Sequence, residues 1–380
     1  MQYYLQAGNT PSLSFAEAKA VIGDVVVQLT EHELGFTAES DDQALEFFKQ
    51  LGASVRLVKE FGATEVKSTE ELEEKIAAYF IAKKEPKLKI ACAQWGDQQT
   101  SRVDFYQIKK TLQENDIKVR FIEGSRHGLS AAVLLHQKIS EIVIIQTDKA
   151  VILGETIAVQ DIDHWTLKDR GKPYADRKKG MLPPKIARAM INMAAGKLQS
   201  DSNSILYDPF CGTGTVLIEG LEQGLTVIGS DLDQESMVGA QMNLSWFAEK
   251  QNLPTNFKIF QSDVSHVTKD RIGQAVDYIV TEPFLGRPKP NPTHLEGMFR
   301  GLEKLYLGAF KQWRSILHDG SKICIVFPRV EIGSRAFDLS GLIDKLSAQG
   351  YTLEVNFGEV RYHRKDAVVQ RDILVFKYHA

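Results

Sequence analysis

Hydrophobic positions in the first 62 residues fall in the order strand, helix, strand, strand, helix, strand. Tyr3 to Ala7 reads as a short strand, and Ser14-Phe15-Ala16-Glu17 has the spacing of a capping box for a helix that stops near Gly23. Val25 to Leu29 and Leu34 to Ala38 are β-rich runs. Asp41 to Leu51 places Ala44, Leu45, Phe47 and Phe48 on one helical face, with Gly52 as its stop. Ser54 to Glu60 alternates as a strand. That order matches a ferredoxin-like module.

The pattern then restarts. Ser68-Thr69-Glu70-Glu71 repeats the capping-box spacing, and Leu72, Ile76 and Phe80 follow on one face. A basic loop around Pro86 leads to a strand over Ile90–Trp95. A helix over Val103–Gln113, a strand over Val119–Ile122, a helix over Leu129–Lys138, and strands over Ile142–Ile145 and Val151–Val159 complete a second α/β unit. Asp161 to Gly180 has no periodicity and is rich in charge, Gly and Pro, so it reads as a surface linker. From Pro183 onward a helix precedes strands near Ile205, Val227, Phe257, Tyr278, Ile323, Leu353 and Ile373, mostly separated by helices. Seven strands with helical crossovers predict a doubly wound, Rossmann-like sheet, its last two strands forming an antiparallel hairpin. The fold class is therefore α/β throughout. The expected divisions are 1–64, 65–160, a basic linker at 161–182, and 183–380.

Composition narrows the class. The chain has 380 residues, 43% of them hydrophobic and 25% charged, which excludes collagen-like, mucin-like and wholly disordered chains. Its three cysteines, Cys92, Cys211 and Cys324, are at least 113 residues apart. That removes CxxC redox motifs and cysteine zinc knuckles and points to a reducing compartment. The nine histidines show no metal spacing, so no metal is expected. No segment has the length of apolar residues needed to span a membrane, and the N-terminus lacks a signal-peptide pattern, so the expected location is cytoplasmic. The formal net charge is −3. Locally the balance differs: Thr166 to Met190 holds eight Lys or Arg and two acids, a footprint suited to phosphate.

The sharpest chemical signal is Leu206-Tyr207-Asp208-Pro209-Phe210-Cys211-Gly212-Thr213-Gly214-Thr215, set between a strand and a helix. Gly212 and Gly214 let backbone approach a ligand and turn sharply, and the following helix offers free N–H groups. Asp231 stands 19 residues after Gly212, at the end of the next strand, where a carboxylate can accept both ribose hydroxyls of a nucleoside. Leu217 occupies the position where a dinucleotide fingerprint wants a third small residue, and Gly-Lys-Ser/Thr of a phosphate-binding loop is absent. Asp208 decides between cofactors. A carboxylate at a strand tip repels a pyrophosphate and attracts a cation, and S-adenosylmethionine carries an ammonium and a sulfonium. The segment looks like motif I of the class I methyltransferases. Cofactor contacts are expected from Asp208, Phe210, Gly212, Gly214, Thr215, Asp231 and Leu232. Asp263 and Val264 after the third strand, and Met181 and Leu182 before the first helix, complete that set. Cys211 fills a position that needs a small side chain and is not read as a nucleophile.

The fourth strand ends in Thr281-Glu282-Pro283-Phe284-Leu285-Gly286. Its place resembles the Asp/Asn-Pro-Pro-Tyr motif of amine methyltransferases, in which an acid or amide and a proline carbonyl accept hydrogen bonds from an exocyclic NH2 while an aromatic ring stacks on the base. Here Glu282 replaces Asp, Phe284 takes the second proline position, and Leu285 the aromatic one. Glu282, Pro283 and Phe284 are the expected catalytic group.

Upstream, Lys168-Asp169-Arg170-Gly171-Lys172-Pro173 and Asp176-Arg177-Lys178-Lys179-Gly180-Met181-Leu182-Pro183-Pro184-Lys185-Ile186-Ala187 complete the picture. Together with Asp-Pro-Phe-Cys-Gly-Thr-Gly-Thr, this string resembles the THUMP-domain tRNA guanine N2-methyltransferases of archaea and eukaryotes. The resemblance implies a THUMP-like RNA-binding domain at 65–160, matched by pattern and not by motif. It further implies S-adenosylmethionine as cofactor, tRNA as substrate and methylation of a guanosine N2 amine. It also allows for the small activating subunit that eukaryotic members use. Arg177, Lys178, Lys179, Lys185, His363 and Arg364 are the expected RNA contacts, the last two on a basic hairpin with the strings Arg361-Tyr362-His363-Arg364-Lys365 and Gln370-Arg371. Three alternatives stay open: another RNA position, a DNA amine, and an RNA-binding homologue that has lost catalysis.

Overall fold

The computed structural model describes residues 1–64, 69–96, 103–147, 150–175, 181–198, 203–363 and 367–380. Contacts divide the chain into two compact units that interleave in sequence. Met1–Pro11, Ile22–Gln50 and Ser54–His164 form the first, and Ser12–Val21, Leu51–Ala53 and Trp165–Ala380 the second.

The chain begins with β1 (Gln2–Ala7), α1 (Pro11–Ile22), β2 (Val27–Gln28), β3 (Glu33–Thr37), α2 (Asp41–Gln50) and β4 (Ser54–Thr64), the element order read from the first 62 residues. It continues with α3 (Thr69–Lys83), β5 (Lys87–Trp95), α4 (Phe105–Glu114), β6 (Lys118–Phe121), α5 (Ala131–His136), β7 (Ser140–Gln146) and β8 (Val151–Val159). The division expected at residue 64 does not separate two sheets. One eight-stranded sheet runs β2-β3-β1-β4-β8-β7-β5-β6, because β4 pairs antiparallel with β8 from Arg56↔Val159 to Thr64↔Val151. β1 occupies only one edge of β4, and the other edge would present unpaired N–H and C=O groups if β8 did not cover it. Inside this unit Arg56 is buried. It donates to Glu141 Oε2 (2.7 Å) and to the Leu129 carbonyl (2.7 Å), while Glu141 accepts from Leu129 N–H (2.7 Å) and the Thr156 hydroxyl (2.7 Å). A buried ion pair supported by further hydrogen bonds on both partners is the tolerable kind.

The second unit starts with a correction. Residues 162–170 are a helix, α6 (Ile162–Arg170), not an unstructured linker. The basic residues that hide its periodicity are used inside the protein. Lys168 is 1% exposed, donates to Glu219 Oε2 (2.9 Å) and Glu222 Oε2 (2.7 Å), and lies 3.7 Å from the centroid of the Trp165 ring. Arg188 is also buried and donates from Nε to Glu219 Oε2 (2.9 Å). Part of the local positive charge is therefore neutralised within the fold instead of facing solvent.

Then follow α7 (Pro184–Ala195), β9 (Ile205–Asp208), α8 (Thr215–Glu222), β10 (Thr226–Asp231), α9 (Gln234–Gln251), β11 (Phe257–Gln261), α10 (Lys269–Ile272), β12 (Val276–Thr281) and α11 (Leu295–Trp313). β13 (Leu317–Ile332), β14 (Arg335–Phe337), α12 (Ser340–Ser347), β15 (Tyr351–Leu353), β16 (Arg361–Tyr362) and β17 (Gln370–Tyr378) close the chain. The sheet runs β11-β10-β9-β12-β13-β17-β15, with β14 on β13 and β16 on β17. Neighbours from β11 to β13 are parallel, and β17 lies antiparallel between β13 and β15. The seven expected strands are present, and two short ones are added. Strand residues alternate between two cores: Leu206, Val280, Cys324, Val326 and Val375 face α7–α9, while Tyr207, Ile279, Ile323, Ile325 and Phe376 face α11 and α12. Both faces are covered, as a parallel sheet requires.

Helix α1 belongs to this second unit over Ser12–Val21. Its Leu13 and Ala16 join the core of α7 and α8. Glu17 is wholly buried and accepts from the N–H groups of Gly52 (2.7 Å) and Ala53 (2.7 Å) and from Asn192 Nδ2 (2.6 Å). Burial nevertheless outweighs these three donors and the nearby Arg188, and pushes its carboxyl up to about 7.

Candidate functional site

The parallel strands change direction of succession between β9 and β12, and ligands of doubly wound sheets bind beyond the carboxyl ends at such a point. A cleft of about 520 Å³, open to solvent, lies there, lined by Met181, Leu182, Asp208, Phe210, Cys211, Gly212, Thr213, Thr215, Val216, Ser236 and Glu282. Seven of these wall residues, Met181, Leu182, Asp208, Phe210, Gly212, Thr215 and Glu282, were singled out by sequence.

The loop after β9 is shaped by its glycines. Gly212 has φ +49°, and a Cβ there would meet nothing within 4 Å, so open space lies above it. Gly214 has φ +83°, and a Cβ would come within 3.3 Å of the Ala240 methyl; it caps α8 in the left-handed conformation with no side-chain cap. Both positions favour glycine. Asp231 at the tip of β10 holds the turn: its Oδ2 accepts from Gly212 N–H (2.9 Å) and its Oδ1 from Asp233 N–H (3.0 Å). Each oxygen keeps a further lone pair. Leu232 beside it is 68% exposed.

Asp208 is 2% exposed. Its Oδ1 accepts from Thr281 Oγ1 (2.6 Å) and from Phe210 N–H (3.1 Å), and its Oδ2 has no partner among the described residues. Burial pushes its carboxyl up to about 7 against those two hydrogen bonds, and the charges of Asp231 and Glu282 push the same way. Asp208 and Glu282, two carboxylates on the wall of one cleft with the charge of Asp231 nearby, form a receptacle for a cation. Thr281, which fixes Asp208 across the junction of β9 and β12, was not singled out by sequence. Its signal was only its place beside Glu282.

Glu282 projects from the end of β12 and its Oε1 accepts from Arg371 Nε at 2.5 Å. Arg371, on β17, read as part of a basic hairpin; its partner is 89 residues away, which no local pattern reveals. Pro283 is buried, whereas Phe284 is 60% exposed and its carbonyl accepts from the Tyr306 hydroxyl (3.1 Å). Leu285 packs into the core instead. The exposed ring of this loop is thus Phe284.

Other expected residues lie elsewhere. Asp263 caps a short 3-10 turn, accepting from Ser265 N–H (2.8 Å) and Oγ (2.7 Å), and those bonds hold its carboxyl below the usual range. Val264 is a core residue. Neither lines the cleft, although Ser262 N–H donates to the Asp231 carbonyl (3.0 Å) and ties the two loops. Lys185 is partly buried, its Nζ 5.6 Å from the Trp165 ring centroid, and burial lowers its pKa. His363 Nε2 is 2.9 Å from the Ala367 carbonyl. Arg361 is paired with Asp372 (2.6 Å). Arg177, Lys178, Lys179 and Arg364 lie outside the described residues. Among the described residues there is no cluster of metal-ligating side chains and no helix long and apolar enough to cross a membrane.

A Rossmann-like sheet whose glycine loop, first-strand Asp208 and fourth-strand Glu282 line one cleft, with Asp231 hydrogen-bonded to that loop, defines a methyltransferase domain. The UPF0020 profile, "RMKL-like, methyltransferase domain", matches residues 173–350. The chain belongs to the tRNA guanine N2-methyltransferase family. It is 33% identical over 118 residues to the probable tRNA (guanine(10)-N2)-dimethyltransferase of Methanothermococcus thermolithotrophicus, covering 31% of this chain and 70% of that relative. It is 32% identical over 195 residues to the tRNA (guanine(10)-N2)-dimethyltransferase of Methanothermobacter thermautotrophicus, covering 51% of this chain and 50% of that one. The chain thus spans about half of that relative's length, and 41% of the Pyrococcus abyssi dimethyltransferase it also matches. The crystal structure of TrmN from Thermus thermophilus shares the fold over the whole of both chains, with a TM-score of 0.55 at 15% identity.

Proposed function

We propose that this chain is an S-adenosylmethionine-dependent methyltransferase that modifies the exocyclic N2 amine of a guanosine in tRNA. The observation that carries the reading is the junction of β9 and β12. There a buried Asp208, with one oxygen unpartnered among the described residues, adjoins Glu282, itself held by Arg371, beside the exposed Phe284. The donor set fits the cofactor. Asp208 would receive the ammonium, the Gly212–Gly214 backbone would lie against the methionine half, and Asp231 would accept the ribose hydroxyls. Phe210, Thr215, Met181, Leu182 and Leu232 would complete the wall, with Asp263 and Val264 towards the adenine. When bound, the cofactor supplies an electrophilic methyl on sulfur.

The protein's part is to bind and aim. Glu282 Oε1 is taken by Arg371, so Oε2 and the Pro283 carbonyl are the acceptors for the two amine N–H groups. Accepting both makes the nitrogen lone pair available and fixes its direction. The extra methylene of Glu282 relative to Asp is absorbed by the Arg371 contact, which pins the carboxylate. Phe284 offers a face for the base. The nitrogen becomes cationic on methylation and loses its proton readily, so Glu282 need only be an acceptor near it.

Radiolabelled methyl transfer onto bulk tRNA, followed by nucleoside analysis, tests this. Label in N2-methylguanosine or N2,N2-dimethylguanosine is expected. Label confined to ribose methyls or ring nitrogens would refute the amine reading. Inactivity alone with intact cofactor binding would point to the small activating subunit.

A further inference from the structure

Among the described residues, buried cations in the second unit are matched to carboxylates, with one exception. Lys168 and Arg188 share Glu219 and Glu222. Lys172 is 8% exposed, yet its Nζ donates only to Thr215 Oγ1, at 3.0 Å, and no carboxylate lies within ion-pairing distance of it among the described residues. Asp169 and Glu219 act on it only from farther away, and burial lowers its pKa. A buried ammonium with one of three donors used is costly. The cost is raised by its position, because Thr215 is the first residue of α8 and that helix end has no side-chain cap. A helix N-terminus and an ammonium are both positive, and they converge on a side chain that lines the cleft.

What that arrangement lacks is an anion. Thr215 accepts from Lys172, so its own hydroxyl hydrogen is free to donate into the cleft. We propose that Lys172, acting through and beside Thr215, is the counter-charge for the carboxylate of the methionine half of the cofactor. The inference rests on the reading of the cleft as an S-adenosylmethionine site. It places opposite charges at opposite sides of the amino-acid moiety: Asp208 for the ammonium, and Lys172 with the α8 terminus for the carboxylate. The burial of Lys172 keeps it from the phosphates of a macromolecule, which need an accessible cation. Lys172 is a positioning residue; it does not touch the transferred methyl.

The test compares two ligands by calorimetry on the full chain: S-adenosylmethionine and its decarboxylated form, which keeps the sulfonium and the ammonium. The wild type should prefer the carboxylated ligand by about tenfold or more. Lys172→Met should weaken that ligand by about tenfold or more and leave the decarboxylated one within about twofold. Thr215→Val should show the same selectivity. Thermal unfolding without ligand supplies a readout that a structural cation would move the other way: Lys172→Met should unfold no earlier than the wild type, since it removes an unpaired buried charge. Equal loss for both ligands, or an earlier apo midpoint without ligand selectivity, would overturn the proposal. A wild type that bound both ligands equally would overturn it while leaving the cofactor reading intact. A wild type that bound neither would remove both.

Discussion

If Asp208 receives the ammonium of the cofactor as proposed, cofactor binding should be a proton-linked event. In the free protein its carboxyl is raised to about 7 by burial. A cation received at its free oxygen would favour the ionised form, so binding should expel the proton. With a free-state value of about 7, roughly nine-tenths of the molecules carry that proton at pH 6 and about a quarter at pH 7.5. If the bound-state value falls below about 5, affinity should rise about eightfold between those two pH values. An α-amino group titrates at about 7.7–8.0, so roughly a quarter to two-fifths of the ligand has lost its ammonium at pH 7.5, and the rise refers to affinity for the protonated ligand. Calorimetry in two buffers of different ionisation enthalpy would measure about half a proton released per site at pH 7. Asp208→Asn retains an acceptor for the Thr281 hydroxyl and removes the charge. It should bind more weakly at pH 7.5 and lose the pH slope. The effect on stability has the opposite sign. A carboxyl raised in the folded state contributes stability that is present below its unfolded value near 4 and is lost as pH rises through about 7. Asp208→Asn should therefore unfold at a higher temperature than the wild type above pH 7. A flat wild-type affinity across the window, or an unchanged slope in Asp208→Asn, would refute the assignment.

Asp231→Ala removes an acceptor that also holds the Gly212 turn, and cofactor affinity measured by calorimetry should fall by about tenfold or more. Arg371→Gln frees Glu282 to wander; kcat should fall by about tenfold to a hundredfold while cofactor affinity stays within about twofold, and Arg371→Lys should recover part of the loss. Phe284→Ala should cost about 1–3 kcal/mol of base stacking, seen as weaker tRNA binding with an unchanged melting temperature because the ring is exposed.

The glycine loop, the acid at the end of β10 and the fourth-strand motif were legible because each rests on neighbours in sequence. A turn needs its glycines locally, and a strand end is marked by the change of periodicity. The class of sheet was legible for the same reason, since the crossover helices are written between the strands, whereas the strand order was not. What sequence could not give depends on partners far apart. The helical character of residues 162–170 is hidden by charges whose partners, Glu219 and Glu222, lie more than 50 residues from Lys168. The union of the N-terminal modules depends on β4 meeting β8. Arg361 and Arg371 looked available for phosphate, and both are engaged with carboxylates. Basic composition reports charge, and only the fold reports which charges remain free.

The membership of α1 and Leu51–Ala53 in the second unit bears on how this chain can be cut and in what order it can mature. Glu17 closes a lock whose other parts are Gly52, Ala53 and Asn192. A fragment starting at residue 161 would lack that helix and would bare the apolar face of α7 that Leu13 and Ala16 cover. It should aggregate or soften, however sound its own sheet. During synthesis the first helix leaves the ribosome long before α7 exists to receive it, so α1 must wait without that helix while some 170 further residues are made. Helix α1 is among the last elements to settle, and the unit that holds the cleft is complete only when α1 has met α7.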